Sequence, residues 1–129
     1  LGIFTFNLED LHHNLVSAIL SYEYAIATRS GCFCAHPYII ELLDIPEEKI
    51  NMRKREVLQG VKANLAGAVR ASLGIYNTKD EIDQLTDALE EIALNKEKYK
   101  EKYYKDEKTG EYLPEEGLPD YRKYFSIED

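Results

Sequence analysis

The sequence predicts an α+β fold: a small, mainly antiparallel sheet of about three or four strands, with helices packed mostly on one face. Three observations lead there. Short runs rich in β-branched, aromatic or small apolar residues, at 2–6, 24–28 and 67–73, have the length and composition of strands. Longer segments between and after them repeat apolar residues at helical spacing. Helix-opening residues, Pro37, Pro46 and the run Thr78-Lys79-Asp80-Glu81, stand where those segments begin.

Taken in order, residues 2–6 (Gly-Ile-Phe-Thr-Phe) read as the opening strand. Asn7 is placed to cap a helix over 9–22, with Glu9 and Asp10 near its positive end and Leu11, Leu15, Ala18, Ile19 and Tyr22 as its apolar stripe. A second short strand over 24–28 then delivers Arg29 at its end. Gly31 allows a tight turn in the loop that follows, and Pro37 opens a short helix through Ile39, Ile40, Leu42 and Leu43. Pro46 starts another helix, which carries Glu47 and Glu48 in its first turn and ends before Gly60. The basic run Arg53-Lys54-Arg55 in its middle reads as a solvated face balanced by Glu47, Glu48 and Glu56.

Residues 67–73 form the third expected strand, in which Arg70 points to the face opposite Val69 and Ala71. Thr78 and Glu81 make a capping box, and Ile82, Leu85, Leu89 and Ile92 repeat at helical spacing behind it. The stripe continues through Tyr99 and Tyr103, which places the helix end near Asp106 and makes Glu101–Lys105 an i,i+4 pair. Beyond it, residues 106–112 suggest a turn into a short extended piece, and Pro114, Gly117 and Pro119 break any longer element. Six of the ten tyrosines lie from Asn95 onward, so part of this region is expected to dock rather than stay solvated. The expected organisation is one domain over 1–105 and an irregular, partly docked extension over 106–129.

Composition narrows the function. A net charge of −8 argues against a surface for nucleic acid, whose phosphates demand clustered Lys and Arg. No apolar run approaches the about 20 residues that cross a bilayer, and no export signal is visible, so a cytoplasmic setting without membrane contact is expected. Cys32 and Cys34 are one residue apart, too close to staple distant segments. Together with His12, His13 and His36 they lack the usual spacing of a structural zinc site, so no metal is expected. No protease signature surrounds Cys34.

Two stretches carry the chemistry. Arg29-Ser30-Gly31-Cys32-Phe33-Cys34-Ala35 offers a sulfur nucleophile beside a cation, and Arg70-Ala71-Ser72-Leu73-Gly74-Ile75-Tyr76-Asn77-Thr78 sets an arginine among small and apolar residues. Cationic groups near a thiol favour the attacking thiolate, and a guanidinium grips a carboxylate by two parallel hydrogen bonds. The pair suggests thiol chemistry on a small carboxylate-bearing molecule. Both stretches resemble the C-terminal part of class V aminotransferases and cysteine desulfurases, pyridoxal-phosphate enzymes of fold type I. In the desulfurases a loop Arg-x-Gly-His-His-Cys-Ala carries the sulfur-accepting cysteine, and an Arg-Ala-Ser-Leu-x-x-Tyr-Asn-Thr run carries the carboxylate-binding arginine.

The resemblance implies that Cys34 is the catalytic thiol and that Arg70 binds the substrate carboxylate. Arg29 either steadies the cysteine loop or the ligand, or lies on the surface. Cys32 and Phe33 replace the two histidines of the desulfurase loop and remove their proton carriers. The helices between Cys34 and Arg70 lengthen a link that is often shorter in the desulfurases. At 129 residues the chain is far below the several hundred of a fold type I enzyme, and it opens on Leu1-Gly2-Ile3 as a fragment would. The expected role is therefore the small domain of a longer homodimeric enzyme, inactive alone. Its large domain would hold pyridoxal phosphate on an upstream lysine, leaving no cofactor-binding residue here. The substrate would be an amino acid, L-cysteine if the parent is a desulfurase. The alternatives are an aminotransferase or lyase in which Cys34 is incidental, and a stand-alone interaction domain. For Arg70 the alternative role is a structural ion pair, and for Cys34 a small half-buried hydrophobe.

Overall fold

The structure is a computed structural model that describes residues 2–61, 65–118 and 120. Strands β1 (Ile3–Phe6), β2 (Arg29–Gly31) and β3 (Ala68–Ser72) form an antiparallel sheet in the order β1-β3-β2. Helix α1 (His13–Tyr24) packs on one face of it, and α4 (Lys79–Leu94) and α5 (Lys96–Lys102) lie beyond α1. A second antiparallel pair joins β4 (Tyr103–Lys105) to β5 (Tyr112–Pro114). Helices α2 (His36–Leu42) and α3 (Glu47–Leu58) fill the connection from β2 to β3. The architecture is the α+β class that the sequence predicts. None of the described helices is long and apolar enough to cross a membrane.

The core explains why β3 is central. Val69 of β3 is fully buried in one cluster with Leu15, Val16, Ile19 and Leu20 of α1, Ala88 and Ile92 of α4, Tyr99 and Tyr103. Burying a side chain such as Val69 contributes about 1.5–3 kcal/mol, so the α1–β3 contact is a main support of the sheet. Gly67, just before β3, permits the closest approach. An added Cβ there would stand 2.7 Å from the Gly31 backbone and 2.7 Å from His13 Nε2.

Several boundaries differ from the sequence reading, each for a tertiary reason. Helix α1 starts at His13 instead of residue 9: His12 is its cap, its Nδ1 accepting the Asn14 N–H at 3.2 Å, while Asn7 donates to the Gly67 carbonyl. Its buried stripe is Leu15, Val16, Ile19 and Leu20, because α1 is covered by both sheet and α4; Tyr22 is exposed. The expected strand over 24–28 is replaced by the last turn of α1 and an extended link. Tyr24 stays helical with its hydroxyl 2.8 Å from that of Tyr99, and Ala25 ends the helix in the left-handed region at φ 55°. Arg29 therefore begins β2 instead of following a strand.

At the other end, the helix expected to reach residue 106 stops at Asn95, restarts as α5, and gives way to β4 at Tyr103. Tyr99 and Tyr103 are both buried, so their i,i+4 spacing reports a shared core and not one continuous helix. Lys105 stands in β4, outside the helix, and the ion pair formed within α5 is Lys100–Glu97 at 2.7 Å. Asn14 ties α1 to this region by donating to the Gly110 carbonyl at 2.9 Å. Tyr121 and Tyr124 lie outside the described residues.

Two local readings hold, while in α4 (Lys79–Leu94) the buried residues are Ala88 and Ile92 and Ile82 of the expected stripe is exposed. Thr78 and Glu81 form the capping box of α4. Helix α3 buries no residue and pairs Arg53 with Glu56 at 3.0 Å. Gly67→Ala is expected to destabilise the chain by about 1–3 kcal/mol through overpacking, read as a lower urea midpoint. An unchanged midpoint would show that α1 and β2 can separate there at no cost.

Candidate functional site

Strand geometry assigns Arg70 its direction. Val69 and Ala71 are buried on the face toward α1, so Arg70 projects from the opposite face of the sheet. There it lies between Thr5 of β1 and Arg29 of β2, its register partners on either side. Directly opposed residues of an antiparallel pair share a face, so two guanidinium-bearing residues stand side by side. Arg29 is exposed and Arg70 half-buried. Neither forms an ion pair among the described residues, and Arg70 Nε is buried with no hydrogen-bond partner among them.

What does meet Arg70 is aromatic. Its guanidinium carbon lies 4.9 Å from the centroid of the Phe33 ring, within cation–π range. Phe33 reaches it from the turn after β2. Gly31 leaves the strand at φ 119°, and the Ala35 N–H donates to the Cys32 carbonyl at 2.8 Å to close the turn. Its two central residues, Phe33 at φ 52° and Cys34 at φ 60°, both occupy the left-handed region. That costs roughly 1–2 kcal/mol per side-chain-bearing residue. Both cysteines are free thiols, Cys32 half-buried and Cys34 exposed.

The structure thus brings Arg70, Arg29 and the Cys34 turn to one region, with Phe33 as the link that the sequence reading left without a role. An aromatic residue next to the candidate thiol, where the desulfurase loop has histidine, was the available signal. Two clefts of roughly 570 and 530 Å3 lie elsewhere, the first lined by Asn14, Ser17 and Tyr112 and the second by His12, His13 and Arg53. Neither includes Arg70, Arg29 or Cys34.

Comparison with known proteins follows the same two stretches. Residues 1–85 match the family model of aminotransferase class-V. The chain belongs to the class V aminotransferase family. Among its relatives, a probable cysteine desulfurase of Staphylococcus aureus strain Mu50 is 34% identical over 90 residues, which is 70% of this chain and 16% of that protein. A probable cysteine desulfurase of Halalkalibacterium halodurans is 34% identical over 89 residues, 69% of this chain and 16% of the relative. One from Staphylococcus epidermidis is 31% identical over 90 residues, with 70% and 16% covered. The chain therefore spans about a sixth of the length of these relatives. In class V terms, the matched span holds both the cysteine turn and the arginine strand.

His12 and His13 belong to the scaffold, and His36 is exposed at the start of α2. His13 is buried and its Nε2 donates to the Leu65 carbonyl at 3.1 Å; the His12 ring stacks 4.2 Å from it. No group of three metal-ligating side chains occurs among the described residues. Burial, with His13, Lys105 and Arg53 nearby, pushes His12 from the ordinary 6.5 down to about 4, and burial lowers His13 as well. The folded chain thus holds His12 neutral, as its role as a cap acceptor requires.

Because the unfolded imidazole takes its proton near 6.5, this part of the stability is complete above about 6.5 and declines as pH falls toward 4. His12→Asn keeps a cap acceptor without the titration. Its melting temperature is expected to fall less than that of the wild type between those limits. Parallel decline of the two would show that His12 protonation is not involved.

Proposed function

We propose that this chain supplies the substrate-carboxylate and sulfur-accepting groups of a pyridoxal-phosphate cysteine desulfurase, with residues 1–105 acting as its small domain and 106–129 as a partly docked extension. The observation that carries the reading is that Arg70 has no ion-pair partner among the described residues. A half-buried guanidinium without an acidic partner among the described residues is costly unless an anion completes it, and its edge matches a carboxylate. Arg29, directly across the sheet, adds positive potential and is assigned to hold the same ligand or the turn beside it.

The cofactor fits as a partner of this site and not as its occupant. No lysine stands on the three-stranded sheet among the described residues, so the Schiff-base lysine is assigned to the large domain of the parent. Family membership implies pyridoxal phosphate in the longer protein. When bound, it supplies the electron sink that lets the bond between the β-carbon and sulfur of cysteine break. The groups of this chain do the rest. Arg70 holds the carboxylate and so aims the substrate's sulfur, and the Cys34 thiolate attacks that sulfur to form a persulfide as alanine leaves. With Cys32 and Phe33 in place of histidines, the turn itself carries no imidazole, and the proton for the departing alanine must come from elsewhere. The parent is assigned as a homodimer acting on L-cysteine in the cytoplasm.

That loss of both histidines favours one other reading, an aminotransferase or lyase in which Arg70 keeps its role and Cys34 has none. Turnover of L-cysteine by the full-length protein separates the two. Cys34→Ser is expected to abolish protein persulfide, and Arg70→Lys to raise the KM about 10- to 100-fold by losing the bidentate grip. Undiminished alanine release by Cys34→Ser would remove Cys34 from the reaction, and turnover of L-cysteine that yields no alanine would remove the desulfurase reading and leave the alternative.

A further inference from the structure

We propose that Phe33 is a positioning residue that couples the two halves of the site: through its ring, a carboxylate gripped by Arg70 fixes where the Cys34 thiol stands. The proposal rests on the reading of Arg70 and Cys34 given above and adds a role for a residue that the reading does not use. Arg70 is the fixed end. Its strand is paired on both sides, to Thr5 and to Arg29, and its neighbours Val69 and Ala71 are locked in the core. Cys34 is the movable end, exposed on a turn closed by one backbone hydrogen bond from Ala35 to Cys32.

Phe33 bridges them. Its ring meets the Arg70 guanidinium at 4.9 Å, and one peptide bond joins it to Cys34. Both residues are held in the left-handed region, so a change of backbone at Phe33 swings the thiol directly. A ring against the guanidinium attracts its charge yet leaves the edge N–H donors for a carboxylate, so ring and ligand bind together. With Arg29 across the sheet repelling Arg70, the ring is the attractive neighbour among the described residues. A carboxylate that orders Arg70 therefore orders Phe33, and with it the turn. A histidine here would be a weaker partner whenever protonated, since two cations would then face each other.

The test uses the full-length protein loaded with its cofactor and L-alanine as probe. Alanine binding is read from the cofactor's absorbance, and iodoacetamide alkylation of Cys34 from peptide mass spectrometry. In the wild type, saturating L-alanine is expected to change the Cys34 alkylation rate by about fivefold or more. Phe33→Ala is expected to bind L-alanine within about threefold of the wild type yet lose that dependence, and Phe33→Tyr to restore it. Phe33→Leu keeps apolar bulk without the ring face and serves if the alanine variant fails to fold; it too should lose the dependence. An alkylation rate in Phe33→Ala or Phe33→Leu that still responds to L-alanine as in the wild type would overturn the proposal. So would a wild type that binds L-alanine with no change at Cys34. Absence of L-alanine binding in the wild type, or binding untouched by Arg70→Lys, would refute the carboxylate reading itself and take this proposal with it.

Discussion

Val69 and Ala71 are buried against α1, and the two-residue period of a strand then sends Arg70 to the opposite face. The magnitudes favour this arrangement despite its electrostatic cost. Burial of Val69 contributes about 1.5–3 kcal/mol, whereas like charges opposed across a strand pair cost roughly 0.2–1 kcal/mol. The core can therefore hold Arg70 beside Arg29 with no ion pair to either among the described residues. A sheet whose strand slipped by one residue would bury the arginine and expose the valine, which is why register at Phe6–Val69–Ser30 matters as much as any catalytic side chain.

The rest of the fold can be understood as support for that strand. Helix α1 covers the apolar face, α4 and α5 cover α1, and Gly67 lets α1 and β2 approach the entry to β3. His12 caps α1 in its neutral form, while His13 fills the same contact from the first turn and bonds the backbone before Gly67. These histidines stabilise the base of the sheet. The face opposite α1 carries Thr5, Arg70 and Arg29 and is met by Phe33 from the turn after β2. Stability and candidate chemistry are thus divided between the two sides of one sheet.

Local signals made much of this legible. The capping box of α4 needs only Thr78 and Glu81, and the opposite facing of Arg70 needs only its two neighbours. The family was legible because the arginine run and the cysteine loop are contiguous in sequence. What was not legible depends on partners far along the chain. Tyr24 remains helical while bonded to Tyr99, 75 residues away, so β2 begins later than its apolar residues suggest. Tyr99 and Tyr103 keep helical spacing across a helix-to-strand change because both point into one core. Phe33 and Arg70 are 37 positions apart, so the aromatic residue beside the thiol marks Phe33 as unusual without naming Arg70 as its partner.

The central claim is the proposal that Arg70, which has no acidic partner among the described residues, is completed by a substrate carboxylate. A crystal structure of the full-length protein with L-alanine bound tests this most directly. The expected density shows the ligand's carboxylate on the edge of the Arg70 guanidinium in two parallel hydrogen bonds, with Phe33 still against that group. An aspartate or glutamate side chain occupying that edge, with the ligand held elsewhere, would contradict it.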